Sequence, residues 1–152
     1  MRVIRGLHNA APADRGAVLA LGNFDGVHRG HQALIDQLRE LARGSGAQTS
    51  VMCFEPQPLE FLQPEAAPRR LQDLAEKLRC LRAAAVDQVV VLPFNAALAA
   101  TRAENFVQEI LIDALGIRAL LAGADCRFGH RRRGDIDLLR RMAARGGYQL
   151  EV

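Results

Sequence analysis

Lysine is almost absent from this chain of 152 residues. Lys77 is the only one, so the modest net charge of +3 rests on arginine. That scarcity excludes a large class of nucleotide binders. A Walker A loop needs a lysine directly after its last glycine, and Lys77 follows Glu76 inside a helical pattern. The dinucleotide fingerprint G-x-G-x-x-G is also missing. Cysteine is scarce: Cys53, Cys80 and Cys126 are odd in number and irregularly spaced, which makes neither a disulfide framework nor a zinc site. Free thiols in a reducing cytoplasm are the expectation. No apolar run approaches membrane-spanning length, and the N-terminus lacks a basic-then-apolar signal segment. Neither a membrane partner nor export is therefore expected.

What remains is an ordinary globular composition, 49% apolar and 24% charged, long enough for one domain with a real core. Short apolar runs alternate with helical periodicity. AVLALG (17–22), TSVMCF (49–54), QVVVLPF (88–94) and ALLAG (119–123) read as buried strands, and YQLEV (148–152) begins a fifth. Between them lie helical stripes. Leu34, Leu38 and Leu41 mark one that ends near Gly44, and Leu71, Leu74, Leu78 and Leu81 mark the next. Phe106, Val107, Ile110, Leu111 and Leu115 form a third, behind a capping box of Thr101 with Glu104, and another helix begins near Asp135. Residues 1–16 add a leading strand, RVIRGL, and a polar connection. The expectation is an α/β fold: a parallel sheet of about five strands with helices on both faces. In such sheets ligands bind beyond the carboxyl ends of strands, where strand order reverses.

Three loops sit there. The first, GNFDGVHRGH (22–31), places His28 and His31 in the first turn of a helix starting near Gly30. Free N–H groups and the positive end of the helix dipole favour an anion at that point. Gly22, Gly26 and Gly30 let a phosphate or an adenine approach the backbone, and imidazole N–H groups can donate to oxygens that gain charge in phosphoryl or nucleotidyl transfer. Competing readings exist. A single histidine is usually structural, and a metal would need a third ligand; Asp25 is nearby, but no H-E-x-x-H or similar set is present, and no metal site is expected. Helix packing through G-x-x-x-G-x-x-x-G is opposed by Asn23, Asp25 and the glycines themselves.

The motif G-x-F-D-x-x-H-x-G-H resembles the signature of the nucleotidyltransferase superfamily, and GNFDGVHRGHQ is similar to bacterial bifunctional riboflavin kinase/FAD synthetases. The resemblance runs on through FEPQPLEF, RL and EKL, LPFN with ENFVQEIL, and G-x-D-x-R-F-G-x-x-R-x-G-D. It implies a Rossmann-like nucleotidyltransferase fold and FMN adenylyltransfer: FMN and ATP give FAD and pyrophosphate, with Mg²⁺. His28 and His31 are then the catalytic pair, and Gly22, Asn23, Phe24, Asp25 and Gly30 line the nucleotide. The chemistry suits the residues. A phosphate monoester is largely dianionic near neutral pH, its second pKa being about 6, so the nucleophile needs no general base. Positioning and charge stabilisation carry such a reaction. Other H-x-G-H enzymes, a cytidylyltransferase or a pantetheine-phosphate adenylyltransferase, share the histidine loop but are not expected to carry the other two loops.

On proline content alone FEPQPLEF is a stiff connection. The resemblance implies a flavin-side role, with Pro56 and Pro58 holding one shape and Phe54, Phe61 and Leu62 offering surface to the isoalloxazine; the family often has an aromatic where Leu62 stands. GADCRFGHRRRGD is the most basic stretch, and a charge run is usually a solvated loop. With no basic face elsewhere and few aromatics, nucleic acid is not the expected partner. The resemblance gives Asp125 and Arg127 to the nucleotide and Phe128 to the flavin, and Cys126, where the family has an aromatic, is read as pointing into the core. In the family the domain continues into a Ser/Thr-rich segment ending in arginine, then a separate riboflavin kinase β-barrel; neither lies within residues 1–152. The expectation is an adenylyltransferase domain, incomplete at its C-terminus, that binds ATP or FMN weakly and makes little FAD by itself. A binding module without activity is the alternative. Oligomeric state is not legible.

Overall fold

Alternation along the strands decides the architecture. A computed structural model describes residues 1–152. Successive strand residues point to opposite faces, and here both faces are apolar. Leu19, Met52, Val90, Leu92 and Leu120 enter one core, whereas Val18, Ala20, Val51, Cys53, Val89, Val91, Ala119 and Leu121 enter the other. A sheet buried on both sides must be covered twice.

The sheet has six parallel strands rather than five: β1 (Arg2–Arg5), β2 (Val18–Leu21), β3 (Thr49–Glu55), β4 (Gln88–Pro93), β5 (Ala119–Leu121) and β6 (Gln149–Glu151). Their order is β1-β4-β3-β2-β5-β6. The leading segment supplies the extra strand, because Arg2 to Arg5 pair with Gln88 to Val91 at the edge of β4.

Helices α1 (Arg29–Ser45) and α3 (Leu74–Ala83) cover one face through Ile35, Leu38, Ala42 and Leu81. The other face is covered by α5, whose first turn, Ala103–Asn105, continues as a π-helical stretch, Phe106–Ala114, and by α6 (Ile136–Gly146). The wider turn of α5 shows where it ends: Leu115 N–H donates to Ile110 O, five residues back. Two short helices complete the chain, α2 (Pro58–Leu62) and α4 (Ala96–Ala100).

Three local expectations are corrected. Leu71 is not on the α3 stripe; it is 72% exposed and precedes the helix, whose N-cap is Asp73. Asp73 accepts from Glu76 N–H at 2.7 Å, and the Glu76 carboxylate accepts from Asp73 N–H at 3.1 Å, so the helix starts only after residue 73. The Thr101–Glu104 box does not form. The Thr101 hydroxyl donates to Ala97 O at 3.0 Å, closing α4, and the residue capping α5 is Arg102. FEPQPLEF is more than a connection, since Pro58 opens α2.

Strand order runs outward from β2 to β3 and β4, then returns across the sheet to β5. The reversal therefore lies between β2 and β5, and their carboxyl ends carry the histidine loop and the arginine-rich loop.

Candidate active site

The histidine loop is strained, and anchors hold it in that shape. After β2, Phe24 takes a left-handed conformation (φ 49°) and its ring is fully buried. Val27, a β-branched residue, is also left-handed at φ 36° and also buried. Such backbone is unfavourable and persists only where surrounding contacts impose it. The Asp25 carboxylate accepts from Leu71 N–H at 3.0 and 3.2 Å and from Gln72 N–H at 3.2 Å. Lys77 Nζ donates to Asn23 O at 2.6 Å, and Gln32 Nε2 donates to Val27 O at 3.2 Å. Gly26 is required by its left-handed backbone, φ 78°; the Leu71 Cδ1 that a Cβ would approach belongs to an exposed side chain that can move.

The loop delivers both histidines to the start of α1. His28 is its N-cap and His31 lies in its first turn. No side chain caps the helix, and the N–H groups of Arg29, Gly30 and His31 have no acceptor in the chain. The imidazoles stack with centroids 3.8 Å apart, and Phe24 backs His31 at 4.9 Å. Gly30 makes room for this, since a Cβ would meet the His28 ring at 3.2 Å. Burial, then the neighbouring His28 and Lys77, push the His31 pKa down to about 4, with Asp25 opposing. His31 is therefore neutral at pH 7, and its Nδ1 is buried without a partner. An anion arriving at this turn meets three free N–H groups, a helix dipole and two imidazoles.

The flavin-side candidates gather on the neighbouring strand ends. Phe54 packs edge-on against Phe94 at 5.9 Å, and Phe61 against Phe94 at 5.7 Å. Phe106 links Phe54 at 6.5 Å to Phe128 at 5.6 Å. Phe94 and Phe106 join this row as site residues that sequence reasoning misses; the segments LPFN and ENFVQEIL carry the only signal for them. Leu59, Phe61 and Leu62 leave apolar surface open on α2, while Phe128 is buried against the core. Arg70 ties the segment down: it donates to Glu55 at 2.7 and 2.9 Å and chelates Glu60, whose carboxyl is lowered chiefly by that bond. Pro56 follows a cis peptide bond, and the Gln57 N–H donates to Glu60 Oε2 at 2.9 Å.

The arginine-rich loop is anchored at its base and at His130, whose N–H donates to Thr101 O at 2.8 Å and whose Nδ1 lies 3.0 Å from Ala99 O. Phe128 pairs with Gly134 across an antiparallel bridge, and Gly129 sits where a Cβ would come 2.5 Å from the Ala103 Cα. Cys126 is packed against the core as expected, and burial raises its thiol pKa. Asp125 is exposed with no bond to its carboxylate, and Arg127 is exposed and reaches only Cys126 O, at 3.1 Å. Asn23 is exposed beside the histidines, whereas Phe24 can offer a ligand only its backbone.

No group of three or more His, Cys, Asp or Glu is arranged to hold a metal ion, and Asp25 is already engaged. Two clefts lie elsewhere: about 560 Å³ between α1 and α3, and about 320 Å³ lined by Arg102, Ala103, Glu104, His130 and Arg133. Neither contains the histidine pair. A polyphosphate is gripped by converging N–H groups rather than by enclosure, so the helix start remains the stronger candidate.

A doubly wound parallel sheet with an H-x-G-H turn at the switch point defines a Rossmann-like nucleotidyltransferase. Residues 10–152 match the family model described as FAD synthetase, and the chain belongs to that family. It is 46% identical over its whole length to the bifunctional riboflavin kinase/FMN adenylyltransferase of Pseudomonas fluorescens, covering 49% of that protein. Over 99% of the chain it is 44% identical to the Escherichia coli K12 protein of the same name, covering 48% of it. The chain thus spans about half the length of the curated relatives it matches. Among solved structures it superposes on a chain from Streptococcus pneumoniae described as a macrolide-efflux protein, with TM-score 0.80 and 25% identity, over 99% of this chain and 49% of the other. No helix here is long and apolar enough to cross a membrane.

Proposed function

We propose that this chain transfers AMP from ATP to FMN, giving FAD and pyrophosphate. The observation that carries the reading is the uncapped start of α1, with three free N–H groups and a stacked histidine pair, set inside a chain of the FAD synthetase family. An FMN phosphate oxygen forms the new bond to the α-phosphorus of ATP, and the bond to the bridging oxygen breaks. Pyrophosphate leaves with that electron pair. His28 and His31 donate to the oxygens that gain charge, an interaction stronger in the transition state than in the ground state. The glycine-rich turn and Asn23 take the nucleotide, with Asp125 and Arg127 closing from the other loop. Phe54, Pro56, Pro58, Phe61 and Leu62 take the flavin, and Phe128 supports it from the core.

Mg²⁺ comes with the triphosphate, since the chain builds no ligand cage of its own. Chelation is expected to stop FAD formation and leave the melting temperature unchanged. We assign residues 1–152 to adenylyl transfer, and the riboflavin kinase activity in the relatives' names to their other half. Three free thiols suit a reducing cytoplasm. The loop arginines serve mononucleotide phosphates rather than nucleic acid.

The test has two arms. ATP and FMN binding are measured on residues 1–152, and FAD formation is followed by chromatography in a form that also carries whatever the gene encodes after Val152. FAD and pyrophosphate in equal amounts are expected. Pyrophosphate released with phosphopantetheine or phosphocholine, but not with FMN, would replace this reading by another nucleotidyltransferase.

A further inference from the structure

The one lysine of the chain is buried. Lys77, on α3, is 1% exposed, and its Nζ makes a single hydrogen bond, to Asn23 O of the histidine loop. An ammonium carries three donors, and a buried charge is normally paired with an opposite one. No carboxylate lies within 4.0 Å of Nζ. The acids of the neighbourhood are already committed: Asp25 to the N–H groups of Leu71 and Gln72, and Glu55 and Glu60 to Arg70. Cys53 does not supply the charge either, because burial pushes its thiol up to about 11. Across the loop lies the uncapped start of α1.

We propose that Lys77 is a positioning residue of the nucleotide site, a buried cation whose counter-charge is the polyphosphate received at the α1 N-terminus. It acts through the loop and through its field. By holding the Asn23 carbonyl it fixes the residue before the left-handed Phe24, and hence the height of the histidine turn. Its positive charge also helps to keep His31 neutral until an anion arrives. This rests on the nucleotide reading of the site but not on FMN as the acceptor.

The experiment compares adenosine, AMP, ADP and ATP with Mg²⁺ by calorimetry, using the wild-type chain and Lys77→Met. Methionine matches the length and apolar stem of lysine and removes the charge. The expected loss grows with the number of phosphates, from under twofold for adenosine to on the order of tenfold for ATP. Equal loss for all four ligands, or none for ATP, would overturn the proposal. Should Lys77→Met fail to fold, the wild type decides. With lysine labelled at Cε, the single resonance is expected to move on adding ATP and stay still with adenosine; no movement with ATP overturns the proposal. A wild-type chain that binds none of the four fails the nucleotide reading itself, and the proposal with it. Absence of FAD alone would count against FMN and leave this result standing.

Discussion

The two loops at the switch point are built in opposite ways. The histidine loop is tied from below at nearly every residue: Lys77 on Asn23, the core on Phe24, Leu71 and Gln72 on Asp25, and Gln32 on Val27. The arginine-rich loop is fixed at Phe128, Gly129, His130 and Gly134, and between those points it presents the side chains of Asp125, Arg127 and Arg131–Arg133 to solvent. Two of those arginines, Arg131 (φ 54°) and Arg132 (φ 57°), are left-handed yet exposed. The histidine side of the candidate site is therefore fixed in advance by contacts to its residues, whereas the side chains of the arginine-rich loop are exposed and largely without partners. Groups that stabilise developing charge gain most from being fixed in advance, which suits the histidines. Groups that only neutralise a phosphate can be long and mobile, which suits arginine.

The sharpest way to break this contrast is through its buried anchor. Phe24→Ala removes a fully buried ring that also backs His31. The expected loss of unfolding free energy is about 3–5 kcal/mol, read from urea denaturation. A loss under about 1 kcal/mol would mean that the loop is not held by its ring, and the preorganised half would vanish from the comparison.

The next effect is on chemistry. His31→Ala is expected to lower turnover on the order of 10²-fold while weakening ATP binding much less, because transition-state charge exceeds ground-state charge. Steady-state kinetics beside ATP calorimetry separate the two. Parallel loss of binding and turnover would make His31 a ground-state contact, no different in kind from the arginines.

Acid should expose the same contrast. His31 ionises near 4 in the fold and near 6.5 when unfolded, so between those values the unfolded chain binds more protons. Stability therefore rises with pH across that window and levels off above about 6.5. Urea midpoints are expected to fall between pH 7 and pH 5, and the fall should shrink in His31→Gln. An unchanged slope would place the acid sensitivity elsewhere. ATP should act in the opposite sense, favouring imidazolium, so binding near pH 6 is expected to take up protons.

Legibility in the sequence follows the same divide. The strands were readable because both faces of the sheet are buried, which leaves continuous apolar runs. The histidine turn was readable because glycine and histidine at that spacing have few other uses. Helix starts were harder. D-x-x-E at 73–76 and T-x-x-E at 101–104 match the same capping pattern, but only the first forms. Thr101 is taken by Ala97 O, a contact that exists only because α4 ends beside it. Leu71 joined a stripe by spacing alone, although Asp73 two residues on marks where the helix begins. Lys77 read as an ordinary helix residue because nothing local reveals that its face packs beneath another loop. Phe94 and Phe106 were hidden likewise, in motifs whose aromatics meet only through the sheet order.

The smallest expected effect tests the exposed half most directly. Asp125→Ala removes an exposed carboxylate that has no hydrogen bond in the chain. Nothing in the fold depends on that carboxylate, so unfolding free energy should change by less than about 0.5 kcal/mol. Acidic side chains beside a nucleotide repel its phosphates, and a role for Asp125 must therefore be directed at the base or ribose, where a carboxylate accepts hydrogen bonds. On that account Asp125→Ala weakens adenosine and ATP by the same factor, whereas Arg127→Ala weakens ATP and spares adenosine. Calorimetry with both ligands on both variants reads the difference. A stability loss beyond about 1 kcal/mol from either substitution would show that the arginine-rich loop is as tightly built as its neighbour. The division of labour between a fixed half and an exposed half would then be lost.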